Sequence, residues 1–461
     1  MSGIRPAAVA GAFYPGDART LGAQVDALLG RAERSEPQLS IPKALIVPHA
    51  GYIYSGAVAG RAYGELAAAR GVVTRVVLLG PVHRVPVHGL ALPGASGFDT
   101  PLGRIPVDSQ AVAALAGLPQ VVTSPAAHAL EHSLEVQLPF LQRVLGDFAL
   151  LPLAVGDASL AEVAEVIERL WGGRETLVVA STDLSHYHRY DEAKRIDGAT
   201  LARIAAFATD LDHEEACGAT PLNGLLRVAR AKGLSIRLLE ACNSGDTAGD
   251  RDRVVGYSAF ALYDPAGEVS QDEAGRTLIG IARGAIGGAL DARAGRAAAV
   301  RLLPDPAWLA RPGASFVTLT IEGALRGCIG SLEALRPLGE DVAQNALHAA
   351  FRDPRFAPLT RAEWPRVQTE VSLLSAPRPM RFADEPDLLA QLRAGEDGLI
   401  LECAGRRGTF LPQVWESLPD KRRFLAELRR KAGLAADTPL ARCKLWRYQV
   451  RKWRESDYVL N

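Results

Sequence analysis

Two histidines stand directly behind short apolar runs. His49 follows Ala44–Pro48 in ALIVPHAGY, and His83 follows Val76–Pro81 in VVLLGPVHR. A third run, Leu177–Ala180 in LVVASTDLSH, delivers Asp183 and His186 in the same way. Imidazole and carboxylate groups bind cations and pass protons, so each run ends in groups that can do chemistry. Apolar runs that stop abruptly read as buried parallel strands. In open α/β sheets the ligand lies outside the carboxyl ends of such strands. Three runs ending this way on one sheet edge point to a metal or acid/base centre. Eight of the nine histidines fall between His49 and His213, which puts that centre in the first half of the chain. His88, His128, His188 and His213 read as surface or satisfied core histidines.

The elements around these runs fit that placement. Strand-like segments at Ala44–Pro48, Arg75–Gly80, Phe148–Val155, Thr176–Ser181, Ile236–Cys242 and Gly256–Tyr263 alternate with amphipathic stretches at Ser55–Ala69, Glu135–Leu145, Leu160–Leu170 and Arg195–Ala208. Such alternation predicts βαβ units, that is, an α/β domain with a mostly parallel sheet and flanking helices. The polar, turn-rich stretch Asp264–Glu273 reads as a linker, giving an α/β domain over 1–266, a linker at 267–273 and a second domain over 274–461. The second part changes character. A helix over Ala274–Ala289 is followed by antiparallel-type strands at Phe316–Ile321, Ala324–Ile329, Val367–Ser375 and Gly398–Glu402. Glu322-Gly323 is a hairpin turn candidate, and helices are expected at Leu338–Phe351 and Pro419–Ala432. This is a smaller α+β domain.

At 461 residues, two domains are the natural expectation. Lys+Arg equals Asp+Glu, 52 each, so no global field favours nucleic acid or an anionic membrane. No uncharged apolar stretch approaches the roughly 20 residues of a membrane span, and the opening MSGIRPAAVAGAFYPGD lacks the apolar core of a signal peptide. Five scattered cysteines without a CxxC pair do not read as a disulfide framework and suit a reducing cytoplasm.

At FYPGD, VPHAGYIYSG, LGPVHR, EHSLEVQLPF, STDLSHY and CGATPLNGLL the first half resembles the Memo-like family, over nearly all of residues 5–263. That family is similar in fold to extradiol-type, non-haem iron dioxygenases. The resemblance implies a metal site at His49, His83 and Cys217, with Asp183 and His186 lining the same pocket. The second half looks like an AMMECR-like domain at LRGCIGS, RDPRFAPLT, VSLLSAP, GLIL and LPQVW, over about residues 272–455. Proteins of both kinds resemble members of a three-part set, AmmeMemoRadiSam, whose third member is a radical-SAM protein. A radical-SAM partner is therefore implied.

Two imidazoles and a thiolate leave a coordination position open, which is the catalytic pattern. A thiolate is softer than the carboxylate of extradiol enzymes, so iron or copper is favoured and zinc is also reasonable. Cys217 precedes an apolar helix-like run, and a buried inert thiol is its other reading. Asp183 can hold a ligand histidine, act as general base, or cap a helix with Ser181, Thr182 and Ser185. His186 reads as a proton shuttle, with a fourth ligand as the alternative. Glu131, His132 and Glu135 open a helix-like run in which Glu131 and Glu135 share a face. They can do acid/base work or place favourable charge at a helix N-terminus. Tyr52 and Tyr54 face the pocket or pack. In LRGCIGS, Cys328 beside Arg326 is a reactive or a structural thiol. The basic residues of 421–431 read as the solvated face of an amphipathic helix.

Three functions remain open at this point. One is a metal-dependent oxidoreductase working with a radical-SAM partner on a small-molecule or peptide substrate. The others are a zinc-type hydrolase and a non-catalytic scaffold with a relict pocket.

Overall fold

The computed structural model describes residues 3–31, 40–265, 270–293 and 308–458, apart from Ala376, Arg381, Ala404, Asp437, Ala441 and Arg442. These residues form two compact units, one before residue 266 and one after residue 269. Part of the expected linker lies outside the described residues, and the next helix already starts at Gln271, inside it.

A mixed sheet carries the first unit. At its centre four strands run parallel in the order Ala44–Val47, Thr176–Ser181, Arg75–Pro81, Ala149–Val155. They are buried on both sides, as near-continuous apolar runs require. Val76 and Leu78 face one core with Leu45, Val47 and Val179, while Val77 and Leu79 face the other with Ile46 and Val178. Helices Ala18–Arg31, Tyr52–Gly64 and Leu138–Leu145 supply the first core, and Leu160–Arg169 and Ala219–Ala231 supply the second. Each fully buried Leu or Val contributes about 1.5–3 kcal/mol against exposure.

The parallel expectation holds for these four strands and fails at the flanks. Val254–Tyr263 runs antiparallel to Ala44–Val47, and Ser235–Asn243 pairs antiparallel with it. The link from Asn243 to Val254 holds one short 3-10 turn. A parallel pair needs a crossover of a dozen or more residues, usually a helix, so this link favours the antiparallel pairing. Leu90–Leu92 and Val121–Thr123 extend the other side, and a separate three-stranded sheet joins Ile4–Arg5, Gly97–Thr100 and Gly103–Pro106. None of these short strands shows a periodic signal in the sequence.

In the second unit, helices Gln271–Arg293 and Leu338–Phe351 pack on a four-stranded antiparallel sheet ordered Ala324–Gly330, Ser315–Ile321, Val367–Leu374, Val450–Arg454. The expected hairpin turn is present: Glu322 and Gly323 have φ of 51° and 82°, as a two-residue turn with left-handed centres demands. A second sheet joins Arg378–Met380, Lys444–Tyr448, Gly398–Cys403 and Arg406–Phe410. Over it, helix Lys421–Lys431 buries Phe424, Leu425 and Leu428 and leaves Arg422, Arg423 and Arg430 exposed, whereas Arg429, expected on the solvated face, is buried and donates to Glu385. The reading of the cysteines is corrected here. The register that sets Glu402 opposite Lys444 brings Cys403 against Cys443, and these two form a disulfide. Among the described residues no helix is long and apolar enough to cross a membrane.

Candidate metal centre

Topology alone gathers half of the site. Ala44–Val47, Thr176–Ser181 and Arg75–Pro81 are parallel neighbours, so their carboxyl ends set His49, Asp183 and His83 side by side. A loop supplies the rest. Glu131–Leu134 precedes the 3-10 turn Glu135–Gln137 and is tied across two strand ends. Ser133 Oγ donates to the Pro81 carbonyl at 2.9 Å, and Ser181 Oγ donates to the Ser133 carbonyl at 2.7 Å. Gly80 allows this approach, because a Cβ there would meet Ser133 Oγ at 2.8 Å. The loop thereby carries His132 to the two strand-end histidines. Donor atoms of His49, His83 and His132 lie within 4.8 Å of one another. Their ring centroids are 5.1, 5.4 and 4.6 Å apart.

Hydrogen bonding fixes the tautomers of two of the rings. Ser181 has one proton and gives it to Ser133, so its oxygen accepts from Gln137 Nε2 at 3.0 Å and from His49 Nδ1 at 2.9 Å. His49 therefore carries its proton on Nδ1 and turns the Nε2 lone pair inward. Glu131 does the same for His83. Its carboxylate accepts from His83 Nδ1 at 2.9 Å, from the His83 backbone N–H at 2.7 Å, and from the His132 and Ser133 N–H groups at 2.9 Å each. An ionised carboxylate only accepts, so His83 Nδ1 is the donor and its Nε2 is free. Carboxylate and hydroxyl partners of this kind orient metal-binding histidines.

Charge in the site follows from burial. Burial, and then the neighbouring His83 and His132, push the His49 imidazole well below the usual histidine range. Burial brings His132 down to about 4 against the opposing pull of Glu131. Both rings are thus neutral at physiological pH, the form that binds metal. Burial alone would raise Glu131, but the His83 hydrogen bond and charge, with the backbone donors, bring it down to about 2. Burial lifts Asp183 to about 7 although its Oδ1 accepts the His49 backbone N–H at 2.7 Å.

Cys217 arrives from the opposite side. Its N–H donates to the Asp183 carbonyl at 3.2 Å, and the Gly218 N–H donates to Thr182 Oγ1 at 2.9 Å. Only glycine fits at 218, where a Cβ would meet the Ser181 carbonyl at 2.6 Å. Cys217 Sγ lies 3.3 Å from His49 Nε2 and accepts from the Asp183 N–H at 3.3 Å. Burial, and then the Asp183 charge, raise the thiol to about 12, so S–H donates to the imidazole lone pair. The three-histidine group is therefore His49, His83 and His132, with Cys217 beside His49.

The remaining expected residues fall as follows. Glu131 and Glu135 do not share a helix face, because Glu131 lies before the helical turn. Glu135 belongs to a separate buried network with Arg5, Tyr14 and the Ala8 and Val9 N–H groups. No helix follows Asp183, so its capping reading fails; the segment turns instead into the short strand His186–His188. His186 is half-buried there, and burial lowers its basicity. Tyr52 packs, its hydroxyl donating to the Val136 carbonyl. Cys328 lies in the second unit on the edge strand Ala324–Gly330, where Asp353 accepts its N–H and Arg355 donates to its carbonyl. Thr318 Oγ1 donates to its half-buried sulfur at 3.3 Å. Sequence reasoning missed Ser181 and Gln137 as orienting groups. Both stand in the stretches STDLSHY and EHSLEVQLPF, but nothing in residue type distinguishes an orienting Ser or Gln from a capping or surface one.

Comparison with known proteins matches residues 5–261 to the Memo-like protein family and residues 279–453 to AMMECR1. A MEMO1 family protein of Ignicoccus hospitalis is 37% identical over 290 residues, covering 57% of this chain and 99% of the relative. One of Thermotoga neapolitana is 38% identical over 285 residues, covering 56% and 99%. Among solved structures, an uncharacterized protein of Pyrococcus horikoshii is 33% identical, covers 41% of this chain and 94% of its own, and has a TM-score of 0.37.

Proposed function

The chain belongs to the Memo-like family and carries an AMMECR1 domain behind it, and on that premise we propose that it is a metal-dependent oxidoreductase with its centre at His49, His83 and His132. One observation carries the reading. Two of three converging imidazoles have their Nδ1 protons committed to Ser181 and Glu131, so their Nε2 lone pairs are set for a cation. Cys217 is the fourth donor on this reading, losing its proton on loading. A donor set with a thiolate suits iron or copper, and such an ion supplies Lewis acidity and electron transfer when bound.

The chain's own residues supply the rest. Glu131 and Ser181 hold the rings. Asp183, buried and near pKa 7, holds or releases a proton beside His49 Nε2, from which its Oδ2 lies 3.9 Å. Half-buried His186 serves as the proton relay to solvent on this reading. The same Asp183 also supports a second reading, a zinc-type hydrolase in which it serves as general base toward water. Likeness to dioxygenase folds and a radical-SAM partner belong to the proposal through the resemblance of both halves. Pull-down of the radical-SAM protein with the full chain tests the partner.

Metal analysis of anaerobically purified protein tests the centre. About one equivalent is expected in the wild type, falling to background in the His49→Ala, His83→Ala, His132→Ala triple variant. Iron or copper favours the redox reading and zinc the hydrolytic one. Failure to bind any transition ion leaves a non-catalytic scaffold.

A further inference from the structure

The buried network around Glu135 has no part so far in the chemistry, although Glu135 lies three residues from His132. Its cation is Arg5, 6% exposed, and Glu135 itself is fully buried. A buried ion pair is weak evidence for stability by itself, since the cost of taking both charges out of water offsets their attraction. What this pair holds in place is the loop that carries a histidine. His49 and His83 follow strand ends, but His132 rides on residues 130–134, which form neither helix nor strand. Helix Pro125–Ala129 has ended and the 3-10 turn Glu135–Gln137 has not begun. The last carbonyls of a helix, and those of the loop behind it, need donors from elsewhere. Arg5 supplies them. Its Nε donates to the His128 carbonyl at 2.8 Å and its Nη2 to the Glu131 carbonyl at 2.7 Å, while its Nη1 pairs with the Glu135 carboxylate. One planar fork thus pins the chain on both sides of His132.

Arg5 is itself held. Strand Ile4–Arg5 pairs with Gly97–Thr100, which sets Arg5 opposite Phe98, and the guanidinium lies 5.1 Å from the centroid of that ring. The small three-stranded sheet therefore anchors the fork. Glu135 is filled from the same N-terminal segment, by the Ala8 and Val9 N–H groups at 2.8 and 2.9 Å and by the Tyr14 hydroxyl at 2.6 Å. Phe13, half-buried, sets its ring 4.8 Å from the His132 ring, and its carbonyl accepts the Tyr52 N–H at 2.8 Å. Residues 5–14 thus meet the histidine loop at its backbone, at Glu135 and at the His132 ring.

We infer that Arg5 and Glu135 are a positioning pair for His132, and that the N-terminal segment is part of the frame of the histidine centre. A rigid fork of N–H donors serves separated acceptors at once, whereas a lysine ammonium is a single point on a flexible stem. The pair acts through the loop and touches neither ion nor substrate. The inference rests on the centre proposed above, but its main readout needs no ion.

The test uses full-length protein. Arg5→Lys keeps the charge beside Glu135 and removes the fork. Tyr263→Phe is the control for stability alone, since it deletes a buried hydrogen bond to Glu65 at the far end of the same sheet, where Leu262 pairs with Ala44. Imidazole ¹⁵N correlation spectra of the metal-free protein read each ring, and chelator competition with zinc, a redox-silent probe, reads affinity. Arg5→Lys should shift and broaden the His132 signals, leave the Nδ1 proton of His49 in place, and weaken zinc about tenfold. Tyr263→Phe should lower the melting temperature and leave all three rings and zinc affinity as in the wild type. The inference is overturned if Arg5→Lys lowers the melting temperature but spares His132 and zinc affinity. It is also overturned if the control disturbs His132 as much, because general loosening would then be the cause. Should Arg5→Lys fail to fold, Phe13→Leu, at a half-buried position, takes its place: shifted His132 signals support the frame and unchanged ones refute it. A wild type that binds no zinc would count against the metal centre, while the metal-free spectra still decide the positioning.

Discussion

Replacing Glu131 by Gln changes one atom and should disable His83 as a ligand. The carboxylate receives four N–H groups, two from His83 and one each from His132 and Ser133. A glutamine of the same shape converts one of its two acceptors into a donor. At least one buried N–H then loses its partner, at a cost of about 1–3 kcal/mol to the metal-free fold. The amide N–H₂ facing His83 also favours the opposite tautomer, with the proton on Nε2, where it blocks a cation. Loss of an outer partner of this kind typically costs about 10–100-fold in metal affinity, or about 1.4–2.7 kcal/mol. Chelator competition on the wild type and Glu131→Gln measures the affinity, and ¹⁵N correlation spectra of the imidazoles read the tautomer. Wild-type affinity within about threefold, together with a retained Nδ1 proton on His83, would refute the orienting role of Glu131.

Ser181→Ala removes the acceptor for His49 Nδ1 and should weaken metal binding about tenfold, measured by the same competition, with little effect on His83 signals. Gly218→Ala drives a Cβ toward the Ser181 carbonyl, 2.6 Å away. It should lower stability by about 1–3 kcal/mol in denaturant titration and move Cys217 off His49, seen as loss of any thiolate-to-metal absorption band. In the second unit, the side-chain hydrogen bond from Arg326 outweighs burial and holds Glu363 at about 2, below the unfolded 4.5. Its stabilisation is complete above about pH 4.5 and is lost as pH falls toward 2. Glu363→Gln should flatten that acid limb of the melting-temperature profile; an unchanged slope would count against it. Residues 1–266 and 270–461, expressed separately, should each unfold cooperatively, and a piece that folds only with the other present would contradict two independent cores.

Much of the site was legible because parallel strands are legible. Runs such as VVLLG and LVVAS end abruptly, and strand ends in an α/β sheet share one edge, so His49, His83 and Asp183 could be placed together from spacing. His132 was singled out only as an acid/base candidate, and its place beside His49 and His83 could not be read. Its approach depends on a non-repetitive loop tied down by Ser133 and Ser181, and hydroxyl hydrogen bonds leave no periodic trace. The i, i+4 spacing of Glu131 and Glu135 suggested one helix face, yet the helix begins only at Glu135. Local spacing has no access to the Arg5 and His83 partners that pull the two carboxylates into different networks. The Cys403–Cys443 pairing was missed for a related reason. It follows from cross-strand register, which joins residues 40 apart in the chain, and no short motif announces it.

On the proposed metal reading, the fixed protons on His49 and His83 carry a consequence for how an ion would be acquired. Two of the lone pairs are aimed before any cation arrives, so loading calls for little rearrangement at those rings. Imidazole and thiolate donors by themselves discriminate only coarsely among late transition ions. Occupancy then follows the general affinity order of divalent ions, in which copper outcompetes zinc and iron, moderated by what the surroundings offer. The ion recovered from an expression host will report that host's supply as much as the chemistry of the site. Growth in media of different metal content should change the bound species while the polypeptide stays the same. Specificity in the native cell would then reside in delivery, upstream of the fold.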